Sequence, residues 1–230
     1  EVVEIEESFY STLNEIVKQN LIDTIGFEGQ AITVTEYNRI KQNLTSIKRL
    51  IRFDGQIDWI RSIKDADEIE RIQQAVLLGD KVFDHIIKFI KPGMKETEVA
   101  AELEYIMKKL GAKGPSFESI VAAGPRSAMC HGTATDNIIK NGDTVVLDFG
   151  VIYCNYCSDM TRTIFIGEPK KEMIKIYDIV KKAQQAALDG IRTGMRGYEA
   201  DKIARDIIAE NGYNGAFGHS LGHGVGIEIH

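Results

Sequence analysis

The chain has 230 residues, a formal net charge of −6, a pI near 5.5 and 43% hydrophobic residues. Its acidic balance argues against a nucleic-acid surface or a basic membrane-binding face. No apolar run approaches the ~18 residues of a transmembrane helix, and no signal-peptide pattern opens the sequence. The cysteines are odd in number, which fits reduced thiols and makes cytoplasm the expected compartment.

Residues 1–60 predict two helices and a short strand. The helices are expected at 8–20 and 33–44, with the strand at 22–29 between them. Because these elements are too few for a confident core of their own, we interpret the region as the end of a larger domain. Both ends of the chain look cut, since it starts at Glu1 and stops within an apparent strand, "GVGIEIH".

A long amphipathic helix is predicted next, in "DADEIERIQQAVLLGDKVFDHIIKFI", with Asp65 or Asp67 as its N-cap. His85 lies off the apolar stripe and is predicted to be an ordinary exposed histidine. The residues that form the predicted stripe are Ile69, Ile72, Val76, Gly79, Phe83, Ile86 and Ile90.

Two similar segments, spaced about 100 residues apart, form a repeat in the rest of the chain. The segment 90–112 aligns without gaps to 191–213, and each copy enters a helix after a Gly-Met turn and leaves it at a glycine. Each copy then leads into a glycine-rich stretch that ends at a histidine, His131 or His230. This spacing favours two related α+β halves around a shared site, and chance similarity of helix-loop units is the alternative.

Two aspartates stand in a stretch that otherwise reads as sheet, "VVLDFGVIYCNYCSDMTR". The segments 144–151 and 157–165 are predicted to pair as antiparallel strands. A turn centred just after Tyr153 would place Asp148 directly opposite Asp159, with both side chains on one face. Like charges so placed destabilise a sheet, so the pair predicts a cation between them, and a divalent metal is the natural candidate.

Other interpretations of this stretch remain. Arg162 could form a salt bridge, although it points to the opposite face from Asp159. Cys154 and Cys157 form a C-x-x-C, but the chain has no second pair of this kind. Downstream, "GHSLGHGVG" is too rich in glycine for a helix, and its histidines add imidazole to the carboxylates, a donor set that suits manganese, cobalt, iron or zinc.

Taken together, "LDFGVIYCNYCSDMTRT" and "FGHSLGHGVGIEIH" resemble the pita-bread metallopeptidases. The stretches "RSIKDADEIERIQQA", "IKPGMKETEVA" and "MCHGTATD" are similar to the Xaa-Pro aminopeptidase and prolidase branch. The resemblance implies an α+β pita-bread fold with duplicated halves around a curved antiparallel sheet. It divides the chain into 1–60, the end of a creatinase-like N-terminal domain, and 61–230, a catalytic domain whose C-terminal part is missing.

The resemblance also implies roles for individual residues. Asp148, Asp159 and His223 match the metal ligands. His131, His219 and His230 match histidines that line the substrate pocket, and among them His131 and His230 are the expected catalytic residues. Two glutamate ligands normally complete the family's site, and both would lie beyond the end of this sequence, so the site is expected to be incomplete.

The implied activity is metal-dependent hydrolysis of the bond between an N-terminal residue and proline. The implied cofactors are two divalent ions, manganese first and cobalt or zinc as alternatives. The expected partners are a peptide with proline in second position and a second copy of the chain, with no nucleic acid and no membrane. A metal-free creatinase-like hydrolase and a non-catalytic binding module are the alternatives, and the sequence does not separate a dipeptidase from an aminopeptidase.

Overall fold

A computed structural model describes residues 3–5 and 7–230. They divide into two compact units, one ending at Ile63 and the other running from Lys64 to His230. Residues 1, 2 and 6, which belong to the predicted first domain, lie outside the described residues. Within the described part of the chain, no helix has the length and apolar character needed to cross a membrane.

The first unit combines three helices with a two-stranded parallel sheet. Both predicted helices and the predicted strand are present, and side chains start the helices: Ser8 caps the first, and Thr33 forms a reciprocal capping box with Glu36 in the second. The second strand and third helix were not predicted. The elements are α1 (Phe9–Gln19), β1 (Thr24–Phe27), α2 (Val34–Asn43), β2 (Arg49–Arg52) and α3 (Gln56–Ser62).

The second unit opens with the predicted long helix, α4 (Ala66–Phe89), and Asp65 is its N-cap. The buried face is rotated from the predicted stripe, because Ile69 and Val76 are 56% and 38% exposed. At Gly79 the buried face meets the strands, and an added Cβ would be in ordinary van der Waals contact with Met160 and Ser158. The buried residues of this face are Ala75, Leu78, Gly79, Val82 and Ile86.

The prediction that His85 is an ordinary exposed histidine is wrong. Its Nε2 lies 2.6 Å from Oε1 of Glu102 on the next helix, α5 (Glu96–Lys109), and its ring stacks on Phe89. The side chain is 40% exposed. The sequence around His85 gives no sign of this partner, because the partner comes from the packing of one helix on the next.

Two three-stranded antiparallel sheets pack with these helices and give the mixed α+β fold that was predicted. One has the order β3-β6-β7 and the other β4-β5-β8, and a 3₁₀ turn, Gly124–Ala128, follows β4. The strands are β3 (Gly114–Pro115), β4 (Ile120–Ala123), β5 (Thr144–Phe149), β6 (Val151–Tyr153), β7 (Tyr156–Cys157) and β8 (Met160–Phe165).

The register of the hairpin differs from the prediction. The turn consists of Cys154 and Asn155, both with positive φ, so its centre lies one residue later than predicted. Asp148 therefore pairs directly with Thr161, and Asp159 lies just before β8. Two consecutive residues with positive φ are the signature of the tight two-residue turn whose twist matches that of paired strands.

The predicted repeat is present as two helix-turn-helix units. The second copy of the repeat consists of α6 (Lys171–Gly190) and α7 (Gly197–Ile208). A π-helical turn, Ala209–Tyr213, follows α7 directly. Four equivalent glycines have positive φ between 85° and 97°. The equivalent second helices also start alike, because the backbone N–H groups of Lys95 and Arg196 donate to Glu98 and Glu199 at 2.7 and 2.9 Å. The glycines are Gly93, Gly111, Gly194 and Gly212. Glycine adopts this conformation at no steric cost.

The two copies differ in the chain that comes after their second helix. After α5 the chain enters the sheets, whereas residues 214–230 form neither helix nor strand. The strand predicted at "GVGIEIH" is therefore wrong for the described residues, although Cys157 donates a backbone hydrogen bond to Gly226. The absence of helix around His219 and His223 agrees with the prediction from the glycines.

Candidate metal and substrate site

Asp148 and Asp159 come together, although by a different route from the predicted one. Residues of β5 alternate strictly: Val145, Leu147 and Phe149 are buried in the core, and Asp148 belongs to the other, less buried face. Because Asp148 pairs with Thr161, Asp159 is its diagonal neighbour two residues along. Diagonal neighbours on adjacent strands share a face, so the two carboxylates still converge.

The two carboxylates also interact electrostatically. Burial raises the pKa of Asp148, and the charge of Asp159 raises it further. The Thr161 hydroxyl, which donates a 2.8 Å hydrogen bond to Asp148 Oδ1, offsets part of the rise, and so do His131 and His223. These effects disfavour the ionised form of Asp148, and a nearby cation would stabilise that form.

Both ring nitrogens of His223 have polar neighbours. Its Nδ1 lies 2.9 Å from the carbonyl oxygen of Gly224, and because a carbonyl only accepts, Nδ1 carries the proton in this bond. In the neutral ring, Nε2 then has the free lone pair, and it lies 3.2 Å from Oδ2 of Asp159. Metal-binding histidines usually donate their other ring nitrogen in this manner. His230 lies beside it, with a ring-centroid distance of 4.4 Å.

His131 is exposed and lies on the loop between β4 and β5, close enough for its charge to lower the pKa of Asp148. The loop is attached through Glu96, which is completely buried at the start of α5. Glu96 accepts hydrogen bonds from both sides of His131. The donors are the backbone of Ala123 (2.8 Å), Arg126 Nε (3.1 Å), the backbone and hydroxyl of Thr135 (3.0 and 2.8 Å) and Asn137 Nδ2 (2.8 Å).

Desolvation of Glu96 raises its pKa, but the hydrogen bonds outweigh this effect, and the net pKa is below the ordinary value. Glu96 is therefore ionised and neutralised by Arg126, which also donates to the carbonyl oxygen of Thr133 at 2.7 Å. The arrangement ties α5, β4 and the His131 loop together in one polar network.

His219 belongs to a different set of contacts. Its Nδ1 lies 2.7 Å from the carbonyl oxygen of Ser220, and its ring meets Phe217 edge-on with centroids 5.0 Å apart. Arg205 on α7 donates to the carbonyl oxygen of His219 at 2.9 Å. The structure thus brings Asp148, Asp159, His223 and His230 together directly, with His131 nearby, and attaches His219 to α7. The metal-binding, substrate-binding and catalytic roles of these residues remain predictions.

The side chains at this site are of the right chemical type to bind a divalent cation, but they are not arranged as a complete set of ligands. Two carboxylates and an imidazole with a free Nε2 suit manganese, cobalt or zinc. Yet among residues 3–5 and 7–230 no three His, Cys, Asp or Glu side chains already form a group that could hold a metal ion. The cysteine alternative finds no support, because Cys154 is exposed in the turn, whereas Cys157 is buried and its thiol donates to the carbonyl oxygen of Ile227.

Comparison with known proteins identifies the family. Residues 70–230 match the model of metallopeptidase family M24, and residues 1–63 match the creatinase/prolidase N-terminal domain. The chain belongs to metallopeptidase family M24. The family resemblance inferred from the motifs is thus confirmed, and M24 metallopeptidases use divalent metal ions.

Solved structures of this family share the fold. A Xaa-Pro dipeptidase from Bacillus anthracis is 43% identical with a TM-score of 0.95, over 100% of this chain and 64% of that protein. An X-Pro aminopeptidase from Thermotoga maritima is 41% identical with a TM-score of 0.93, over 98% of this chain and 64% of that protein. The pita-bread fold is thereby confirmed.

A sequence relative, the Xaa-Pro dipeptidase of Pyrococcus furiosus, is 44% identical over 222 residues, which are 96% of this chain and 62% of the relative. The chain therefore spans slightly less than two thirds of the length of the M24 proteins it matches.

Several residues that shape the site were not predicted. Gly150 separates β5 from β6, and a Cβ there would overlap the Ser158 carbonyl oxygen and the Ser116 hydroxyl. Glu96 and its partner Arg126 are 30 residues apart, so no local pattern connects them. Asp201 and Arg205 on α7 did carry a signal, the i,i+4 spacing of opposite charges on a helix.

Proposed function

We propose that this M24 chain carries part of the dinuclear metal site and part of the substrate site of a Xaa-Pro peptidase. Asp148, Asp159 and His223 are the proposed metal ligands. The observation that supports this most directly is the position of His223, whose Nε2 lies 3.2 Å from the carboxylate of Asp159, itself the neighbour of Asp148. Without a cation, this arrangement places two carboxylates and a lone pair together.

Bound divalent ions supply positive charge that polarises the scissile carbonyl and acidifies a water molecule. The histidines of this chain would handle the protons. His230, in ring contact with His223, and His131, whose charge acts on Asp148, are the proposed donors to the carbonyl and to the leaving nitrogen. His219 is proposed to contact the substrate away from the reacting bond.

The proposed substrate has proline in the second position. An Xaa-Pro bond lacks an N–H group, so it cannot complete the backbone pairing by which many peptidases hold an extended substrate. Relatives named as dipeptidases and as aminopeptidases are both similar to this chain. Substrate length is therefore a question for the assay and not for this set of residues.

We further propose manganese as the metal, a homodimer as the assembly and cytoplasm as the compartment. All three cysteines carry free thiols, as is usual in a reducing compartment. The resemblance to the family supports the metal and the dimer.

The test compares two proteins. One is the 230-residue chain, and the other is a chain extended beyond His230 through the two glutamates that the resemblance implies. We expect the short chain to bind at most one Mn²⁺ weakly and to have little activity, because two carboxylates under-neutralise two divalent ions. The extended chain should bind two ions and cleave an Xaa-Pro dipeptide, with an Xaa-Pro tripeptide assayed in parallel.

Asp159→Asn in the extended chain should abolish metal binding and turnover together, and Asp136→Asn, an exposed carboxylate, is the matched control. Turnover by a fully metal-stripped extended chain would favour a creatinase-like hydrolase. Stoichiometric peptide binding without turnover would favour a binding module. Equal turnover by the short chain would show that the absent carboxylates are not needed, and the proposal would fail.

A further inference from the structure

The segment that carries His219 and His223 lacks a helix or strand to hold it. Residues 214–230 form no regular structure, so their backbone groups need other partners. Flexible, glycine-rich backbone is a poor platform for a ligand that must be held within fractions of an ångström. Whatever fixes Phe217–Leu221 therefore also sets how well the histidines are placed.

An arginine and an aspartate of α7 supply the missing contacts. Arg205 donates to the carbonyl oxygens of Phe217 (Nη1, 2.6 Å) and His219 (Nη2, 2.9 Å). Its guanidinium also covers the ring of Phe217, 4.6 Å from the centroid. Asp201 holds Arg205 through two hydrogen bonds of 2.6 and 3.0 Å and accepts the backbone N–H of Leu221 at 2.9 Å.

We refer to Asp201 and Arg205, with their hydrogen bonds to the backbone of Phe217, His219 and Leu221, as the bracket. Guanidinium is planar with a fixed fork of donors, so engaging two carbonyls and one carboxylate fixes both its own orientation and that of the backbone it meets. The bonded carbonyl groups lie directly at His219 and two residues before it, and the bonded N–H lies two residues before His223. The segment is thus attached at three points within five residues.

We infer that Asp201 and Arg205 are positioning residues that hold the His219–His223 segment in place for the site. This inference rests on the proposed function, because His223 matters as a ligand only there. Neither residue touches a reacting atom; both act through the backbone of the histidine segment. The bracket is specific to the second half, since the aligned positions in the first half are Ala100 and Glu104.

The neighbouring pair on α7 offers a matched control. Lys202 and Asp206 form an i,i+4 ion pair on the same helix, with Lys202 Nζ 2.7 Å from Asp206 Oδ2, and both side chains are largely exposed. Lys202→Met removes one helix ion pair without touching the segment. Arg205→Met removes one helix ion pair and the bracket as well.

The first measurement is amide hydrogen exchange of the 230-residue chain by NMR, with the Leu221 N–H as reporter. We expect exchange at Leu221 to be at least about tenfold faster in Arg205→Met than in the wild-type chain, and unchanged in Lys202→Met. The imidazole signals of His219 should shift only in Arg205→Met. Arg205→Lys, which keeps the charge but loses the planar fork, should give an intermediate rate, and it replaces Arg205→Met if that variant does not fold.

The second measurement separates helix stability from positioning. The exchanged pair Asp201→Arg/Arg205→Asp restores opposite charges on α7 but removes both the donors to the carbonyl oxygens and the acceptor of the Leu221 N–H. It should recover the thermal midpoint lost in Arg205→Met without recovering protection of Leu221. In addition, Mn²⁺ should bind Arg205→Met about tenfold more weakly than Lys202→Met, followed by broadening of the His223 ring signals.

Equal exchange at Leu221 in Arg205→Met and Lys202→Met would overturn the inference, and so would recovery of protection in the exchanged pair, because either result reduces the contacts to helix stability. Hydrogen exchange needs neither metal nor substrate. If no Mn²⁺ binds to any variant of the chain extended beyond His230 while Leu221 behaves as expected, the bracket stands and the proposed function fails.

Discussion

The two halves of the second unit share a scaffold but hold their functional loops by different means. Both use a helix, a glycine turn and a second helix in whose first turn a glutamate accepts the backbone N–H of the N-cap residue. In the first half, a completely buried glutamate, Glu96, holds the His131 loop. In the second half, Asp201 and Arg205, with side chains 19% and 41% exposed, hold the His219 segment.

The difference shows which features the repeat carries. Glycines and caps recur because they fix backbone conformation wherever a helix must start or stop. The polar contacts to the loops do not recur: Glu96 aligns with Gly197, and Asp201 aligns with Ala100. In each half, the side chains that hydrogen-bond to the loop come from a different position of the helix. The free energy lost when these hydrogen bonds are removed should therefore differ between the halves.

The largest expected effect comes from Glu96→Ala. Removing this carboxylate leaves Arg126 unpaired in a half-buried position and several backbone and side-chain donors without an acceptor. We expect a loss of about 3–5 kcal/mol in the free energy of unfolding, measured by urea denaturation of the 230-residue chain.

Glu98→Ala is the matched control on the same helix. Glu98 accepts a 2.7 Å hydrogen bond from the backbone of Lys95 at the exposed start of α5, and its loss should cost only about 1 kcal/mol. If the two variants were equally stable, the buried network would contribute no more than an ordinary helix cap.

Glu96 should also give a pH dependence. Its pKa is lowered in the folded state, so the stability it contributes is complete above the ordinary pKa of a glutamate, about 4.3, and is lost as the pH falls through the lower folded value. Glu96→Gln, which cannot titrate, should lose less stability than the wild-type chain between about pH 5 and pH 3. The free energy of unfolding measured across this range tests the sign, and parallel curves would contradict it.

The sequence correctly predicted the features that depend on residues close together in the chain. Asp65 as the cap of α4, the helix periodicity and the repeated glycines all follow from neighbours within a few residues. Convergence of Asp148 and Asp159 survived a wrong register, because the error moved the pairing by two residues and left the face unchanged.

The missed features depend on distant partners. His85 finds Glu102 and Glu96 finds Arg126 only when helices and strands pack, and residues alone do not specify those distances. The buried face of α4 was rotated from the predicted stripe for the same reason, because the flank that packs depends on distant residues such as Met160 and Ser158, which lie beside Gly79. Periodicity shows that a helix is amphipathic more reliably than it shows which flank packs.

A smaller effect is expected at the aspartate pair. In the absence of metal, Asp148→Asn removes a like charge beside Asp159 and should raise the free energy of unfolding by up to about 1 kcal/mol. Addition of Mn²⁺ should then stabilise the wild-type chain more than the variant, because only the wild-type chain keeps both carboxylates.

Asp136→Asn makes the same chemical change at a side chain that is 80% exposed and pairs with Lys95. It should leave the metal-free stability almost unchanged and keep the full Mn²⁺ response. Thermal unfolding with and without Mn²⁺ distinguishes the variants, and destabilisation of the metal-free chain by Asp148→Asn would show that its hydrogen bond to Thr161 outweighs the repulsion.

The smallest expected effect is in the turn that sets the register of the first half. Cys154 has φ of 50° and Asn155 has φ of 64°. Asparagine tolerates the left-handed region better than cysteine does, so Cys154→Asn should raise the free energy of unfolding by about 0.5 kcal/mol. Cys130→Asn makes the same chemical change at another exposed cysteine, one without positive φ, and should bring no gain. If urea denaturation gave the same change for both variants, relief of strain in the left-handed turn would not be the source of the gain.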